Sequence, residues 1–484
     1  MKQMRLTTTA LLFLTSTVWA GMRQPGYPVP QIVGPTNPQS VAPGGTGFTL
    51  TIYGANFIPG STVNWNRQPR ATTYISAREL QAEILASDIA VSTAGMITVT
   101  TTTPKGPITS SPHFQVEVHA PRATMGSTQL NIYPNFNGAP NLVGDLNSDG
   151  YLDLAGISQK SSGFSSIVGG FMGNGDGTFH TGSSLTAKQY PLGGGSELAD
   201  FDGDGNLDYV YVIGQSRQVT PLHLAISFGN GDGTFRTGPT FGLLGKTGPV
   251  VPGFVVVGDY NQDGVLDIAT SNVANHIEMF LGNGDGTFSQ GGEIYGPMTG
   301  VQSGDFNGDG KLDLIGVAPN SSGTEFQFRI LLGNGDGTFQ PVQTVATISG
   351  QTLPFTTTFF VNDFNQDGKL DLAFGDSLGR IGIVLGNGDG TFQAPFYYTV
   401  ATQYFFSFAL GDFNSDGKTD IIVQQYQTST DFSILLGNGD GTFQSPQVLP
   451  VAGILSYGIA VADFNNDGLL DFAYTGSGYF YMQK

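Results

Sequence analysis

Cysteine is absent from the chain, and with it disulfides, thiol catalysis, Cys-based zinc sites and a lipid-anchoring cysteine. Basic residues are scarce. Nineteen Lys and Arg stand against 38 Asp and Glu among 484 residues, for a net charge of −19. That balance argues against nucleic acid and anionic membrane surfaces as partners. Beyond the N-terminus no apolar stretch approaches the roughly 20 residues needed to span a bilayer, and no long helical periodicity is found. Glycine is abundant instead, with 71 residues, beside 26 prolines and 35 phenylalanines. In a chain rich in Val, Ile, Phe and Thr, this excess indicates many short strands joined by tight turns. An exported chain without disulfides must be held together by something else, and a metal is one candidate.

Export is read from the N-terminus. Lys2 and Arg5 precede the apolar run ALLFLTSTVW, and Val18-Trp19-Ala20 supplies small residues where a signal peptidase reads them. Residues 1–20 therefore read as a secretory signal cleaved after Ala20. A membrane anchor is the competing reading, but the run is short and Gly-Pro-rich sequence follows it. The expected location is secreted, extracellular or at the cell surface, with the periplasm as a further option.

The acids are ordered. The pattern D-x-[N/D]-x-D-G-x-x-D begins at Asp145, Asp200, Asp259, Asp305, Asp363, Asp412 and Asp463, at spacings of 46 to 59 residues. A period near 50 marks stacked or circular repeats. Six of the seven segments are followed by GNGDGTF, starting at Gly173, Gly229, Gly282, Gly333, Gly386 and Gly437. Strand-like sequence flanks it on both sides, so it reads as a hairpin turn rather than a phosphate-binding loop, with its Phe as a core plug. The unit from Val301 gives four strands, VQSGDF, KLDLIGVA, FQFRILLG and FQPVQTVA, the form of one propeller blade. Seven units over 127–484 predict an all-β, seven-bladed β-propeller. STQLNIYP (127–134) is expected to supply the outer strand that the last unit lacks, closing the ring.

Positions 1, 3, 5, 7 and 9 of each acidic segment match the start of an EF-hand loop, with side-chain oxygens at 1, 3 and 5 and a main-chain carbonyl at 7. The candidate ligands are Asp145, Asn147, Asp149, Tyr151 and Asp153, then Asp200, Asp202, Asp204, Asn206 and Asp208, then Asp259, Asn261, Asp263, Val265 and Asp267. The middle repeat has Asp305, Asn307, Asp309, Lys311 and Asp313, and the next has Asp363, Asn365, Asp367, Lys369 and Asp371. Asp412, Asn414, Asp416, Lys418 and Asp420, and Asp463, Asn465, Asp467, Leu469 and Asp471, complete the set. Because position 7 offers only its main-chain oxygen, its side chain varies freely. Oxygen donors without His or Cys favour Ca²⁺, and Mg²⁺ fits a smaller octahedral site less well. A family of Asx turns needing no ion is the competing reading. Up to seven structural Ca²⁺ are expected, offsetting 14 of the 19 net negative charges.

The paired motifs GDFNxDGxxDL and LLGNGDGTF resemble the FG-GAP/VCBS repeat family, which is similar to the blades of the integrin α-subunit propeller. The resemblance implies that the acidic hairpin loop joins the first two strands of a blade and binds calcium. It covers about 350 residues, with small departures at Asp202, at Thr419 and in the missing last turn.

Residues 31–118 are punctuated differently, as several short strands of an immunoglobulin-like sandwich. They resemble the IPT/TIG family through Gly54-Ala55-Asn56-Phe57, STVNWN, and Glu79-Leu80 before AEILASDI. Trp65 reads either as a surface anchor or as packing, and residues 119–126 as a linker.

No enzyme is legible. The five His (113, 119, 180, 223, 276) are scattered, Thr240 stands where a phosphate loop before Gly245-Lys246-Thr247 needs Gly, and no G-x-S-x-G occurs. A polysaccharide lyase on a calcium propeller and a purely structural surface component remain alternatives. The expected function is non-enzymatic: a monomeric adhesion or ligand-binding protein for an extracellular glycan or protein. Its site is expected on the face opposite the acidic loops, where crossovers bring Tyr190, Phe241, Tyr295, Phe355, Tyr404 and Phe405.

Overall fold

The computed structural model describes residues 27–104, 106–110, 114–123, 125, 128–132, 139–159, 166–187, 190–216, 219–244, 254–271, 276–294, 298–320, 325–348, 359–401, 407–424, 432–449, 459–474 and 479–483. The signal-like segment 1–20 lies outside them, as do Gly245-Lys246-Thr247, Tyr295, Phe355, Tyr404 and Phe405. Among the described residues all regular structure is β-strand, and no helix is long and apolar enough to cross a membrane.

Two sheets form the N-terminal part. One orders strands Gln31–Ile32, Phe48–Ala55, Glu79–Ile84 and Thr72–Ser76. The other orders Ser40–Val41, Phe114–Val118, Thr93–Thr103, Ser61–Trp65 and Gln68–Pro69, with Gly106–Thr109 on Thr93–Thr103. Strict alternation builds their shared core. Leu50 and Ile52 from one sheet meet Val63, Trp65, Ile97, Val99, Val116 and Val118 from the other. Trp65 belongs to this core, not to the surface. Its ring lies over Gly95, where a Cβ would come within 2.2 Å of it.

Among the described residues of the rest of the chain there are seven four-stranded antiparallel sheets. Six are consecutive in sequence, from the sheet beginning Ala139–Gly144 to the one ending Gln447–Leu449. The seventh joins both chain ends: Thr128–Ile132 pairs with Tyr479–Gln483, beside Asp471–Tyr474 and Ile459–Ala462. Neighbouring sheets interlock through the Gly-rich turns. Gly233, Gly286, Gly337, Gly390 and Gly441 each donate their N–H to the position-2 carbonyl of the preceding sheet's acidic loop, at Leu146, Phe201, Tyr260, Phe306 and Phe364. Gly177 of the first sheet does the same to Phe464 of the last, so the array closes on itself in a propeller-like ring. The Phe ending each turn packs on the same position-2 side chain, as Phe179 on Phe464 and Phe392 on Phe306.

The last sheet has no such turn, and Gln483 substitutes for it. Its main-chain N–H bonds Asp471 and its side-chain amide donates to the Phe413 carbonyl at 2.9 Å. One strand starts later than the sequence suggests. In three sheets the fourth strand begins at Gln343, Phe396 and Gln447 instead of at the turn's Phe. Pro341, Pro395 and Pro446 explain the delay, because a proline cannot donate to the ladder.

Candidate functional site

Of the 35 predicted ligand positions, 28 fall in the seven loops between first and second strands, and the seven position-9 aspartates each open the second strand. The loop from Asp305 shows how the chain closes there. Asp305 Oδ1 accepts the Asp309 N–H and Oδ2 the Gly310 N–H, while Asp309 Oδ1 accepts Lys311 N–H and Asn307 Oδ1 accepts Asp309 N–H. Asp313 ties loop to sheet, taking the Phe306 N–H at 2.9 Å and the Gly333 N–H at 2.8 Å. These six bonds recur in every loop. The position-1 carboxylate accepts from Gly150, Gly205, Gly264, Gly368, Gly417 and Gly468 in the others. The position-9 carboxylates of Asp153, Asp208, Asp371, Asp420 and Asp471 each take two N–H groups, and that of Asp267 takes three.

Two backbone positions make the loop possible. The position-6 glycine has positive φ in all seven, as anticipated. Position 4 is also left-handed, at Ser148, Gly203, Gln262, Gly308, Gln366, Ser415 and Asn466. The chain curls there so that the N–H groups of positions 5 and 6 reach the position-1 carboxylate. In the 200–208 loop the carboxylate oxygens of Asp200, Asp202 and Asp208 lie within 4.8 Å of one another. The other six loops carry Asn at position 3.

The electrostatics follow from burial. The position-9 carboxyls are raised from 3.8 to about 7 at Asp153, Asp208, Asp313 and Asp371, and to about 8 at Asp267 and Asp471. Desolvation is the largest cause, neighbouring loop carboxylates add to it, and main-chain N–H bonds oppose it. At position 1, Asp259 and Asp463 rise to about 7 and Asp412 to about 6, again chiefly by burial. Lys311, Lys369 and Lys418 reach only the outer oxygen of the position-5 Asp, at 3.7, 3.0 and 3.4 Å, in exposed pairs worth little. Each loop therefore gathers buried oxygen donors whose charge its own side chains leave largely uncompensated, and this donor set could hold a hard divalent cation. The Asp residues of the Gly-rich turns differ. Asp176 and its counterparts cap their own turns through Thr N–H and hydroxyl bonds, which hold their carboxyls below the ordinary value.

What sequence reasoning missed is the cover on this face. Val29 N–H and the Asn56 amide bond Asp259, and Arg78 pairs with Asp305 at 3.2 Å and donates to Gly368 O. Arg67 pairs with Asp145, and Gln39 donates to Thr419 at 2.9 Å. The stretch expected as a linker is itself anchored: Arg122 N–H bonds Asn414 O, and Met125 is buried against Phe413. Among the described residues no hydrogen bond or ion pair from the N-terminal part reaches the 200–208 loop. There Arg236 of the same sheet pairs with Asp202 at 2.7 Å.

The dispersed histidines stay apart. His276 pairs with Glu293 at 2.6 Å, His180 bonds Asn174, and His113 lies outside the described residues. Phe241 packs on Phe280 and Phe288, between sheets. The side chain of Tyr190 lies outside the described residues.

Comparison with known proteins gives one family, described as the FG-GAP-like repeat. Its model matches residues 145–211, 200–270, 259–316, 305–374, 363–423 and 412–474. No curated protein matches. Similar solved structures include BBS1N in complex with ARL6DN, 12% identical with TM-score 0.48, covering 75% of this chain and 97% of that one. Another is an auxiliary nutrient binding protein from Bacteroides thetaiotaomicron, 13% identical with TM-score 0.35, covering 95% and 98%. A third is a putative 6-phosphogluconolactonase from Bacteroides fragilis, 16% identical with TM-score 0.42, covering 68% and 88%.

Proposed function

Because the chain belongs to the FG-GAP-like repeat family, we propose that it is an exported, calcium-stapled binding protein: a seven-bladed β-propeller carrying an immunoglobulin-like, IPT/TIG-type module on its acidic-loop face. The observation that carries this reading is the six-bond loop, repeated seven times around buried carboxylates. In each loop the side chains at 1, 3, 5 and 9 and the main-chain oxygen at 7 would hold the ion. Ca²⁺ supplies charge neutralisation and pins the hairpin between two strands. Its role is structural.

The N-terminal module occupies the acidic-loop face, so ligand binding falls to the opposite one. That is the face on which the second strand of each sheet ends and the third begins. Nearly three quarters of the acids, 28 of 38, are committed to acidic loops or Gly-rich turns. The proposed activity is therefore retention of an extracellular glycan or protein, without chemistry on it.

Immobilised polysaccharides and extracellular-matrix proteins, screened with the full chain in excess Ca²⁺, test this. Retention on one of them without soluble product is expected. Release of oligosaccharide would replace the binding reading with an enzymatic one.

A further inference from the structure

The strand Phe114–Val118 alternates, sending Val116 and Val118 into the sandwich core and Gln115 and Glu117 toward the ring. Gln115 accepts the Asp463 N–H at 3.2 Å. Glu117 is only 3 % exposed, its Oε2 has no hydrogen-bond partner, and it faces the carboxylates of Asp412, Asp463 and Asp420, themselves 0–2 % exposed. Ser40, paired with Glu117 across a parallel ladder, is buried beside it, and its Oγ likewise has no hydrogen-bond partner. Among the described residues no Lys, Arg or His stands within ion-pair distance of any of these four acids.

A buried carboxylate among buried carboxylates is strongly unfavourable unless it is paired or coordinates a metal. Elsewhere the module meets the acidic loops with compensating groups, Arg67 at Asp145 and Arg78 at Asp305. Here it brings a fourth acid instead, whose charge a cation from outside the chain would compensate. All the donors facing this point are hard oxygens, the set that suits Ca²⁺.

We propose that Glu117 supplies a ligand, from the N-terminal module, to the cation held by the 412–420 loop, so that one ion joins the module to the ring. This rests on the reading of the loops as calcium sites, and its test separates the two. It makes docking of the module depend on calcium, whereas the two arginine contacts work without it.

The test uses the full chain, with Ca²⁺ binding followed by competition with a chromophoric chelator. Tryptic cleavage after Arg122 reports whether the module is docked. E117Q keeps the shape and removes the charge. It is expected to weaken one site at least tenfold and to expose Arg122 to cleavage in Ca²⁺. D204N, in the loop that the module does not touch, is expected to lose a site while Arg122 stays protected. If E117Q binds and is cleaved as the wild type while D204N loses its site, the Glu117 proposal fails and the loop reading stands. If the wild type binds no Ca²⁺ and D204N changes nothing, both fail. Should E117Q not fold, E117D keeps the charge on a shorter arm. It is expected to retain every site with one weakened, and unchanged affinity at all sites would overturn the proposal.

Discussion

Chelation of divalent cations is expected to lower the unfolding temperature of the full chain by about 20 °C. A ligand that binds only the folded state stabilises it by about 2.7 kcal/mol per site at a hundredfold excess over its Kd. Seven such sites give roughly 19 kcal/mol, and a chain of this length has an unfolding entropy near 1 kcal/mol per degree. The metal-free chain should also respond to pH in an unusual direction. Burial raises the position-9 carboxyls of Asp153, Asp208, Asp267, Asp313, Asp371 and Asp471 to about 7 to 8 in the folded chain, against 3.8 ordinarily. The folded state then binds more protons than the unfolded state between about pH 4 and 8. Metal-free stability should therefore rise as pH falls from 8 towards 5. In Ca²⁺ the trend reverses, because protons compete for the same oxygens. Calorimetric scans at pH 8 and pH 5.5, each with Ca²⁺ and with chelator, read both effects. Curves that coincide with and without Ca²⁺ would favour ion-free Asx turns.

The second large effect is at position 9. Asp313→Ala removes the acceptor for the buried N–H groups of Phe306 and Gly333. Leaving both unsatisfied costs about 2–6 kcal/mol in total. This loss persists without metal, because those bonds join loop to sheet whether or not an ion is present. Asp309→Asn is the contrast. Its side chain is partly exposed and the amide oxygen can still accept the Lys311 N–H, so its metal-free cost should stay within about 1 kcal/mol. In Ca²⁺ both variants lose a site. Urea unfolding in chelator separates them, and equal metal-free costs would mean that position 9 is a ligand and nothing more.

The loops were legible because their chemistry is local. Five positions within nine residues state the donor set, and the glycine at position 6 states the bend. Position 4 escaped notice although it is left-handed in every loop, because Ser148, Gln262, Gln366, Ser415 and Asn466 share no residue type with Gly203 and Gly308. The strand of residues 128–132 could be placed on the last sheet because the last unit is visibly one strand short. Gln483 could not be recognised as a turn substitute, since one side-chain amide replaces a seven-residue motif and leaves no pattern.

The covered face was the larger omission. Val29 meets Asp259 across 230 residues and Arg67 meets Asp145 across 78, and neither end carries a mark of the other. The alternation in FQVEV does show that Glu117 points away from the sandwich core. Only the fold shows that it points at Asp412 and Asp463.

The central claim is that the repeated loops are structural calcium sites, and counting ions tests it most directly. Equilibrium dialysis of the purified chain against radiolabelled Ca²⁺, with D204N beside it, gives the number bound per molecule. The account predicts seven for the wild type and six for the variant. No bound calcium, or the same count for both chains, would contradict it.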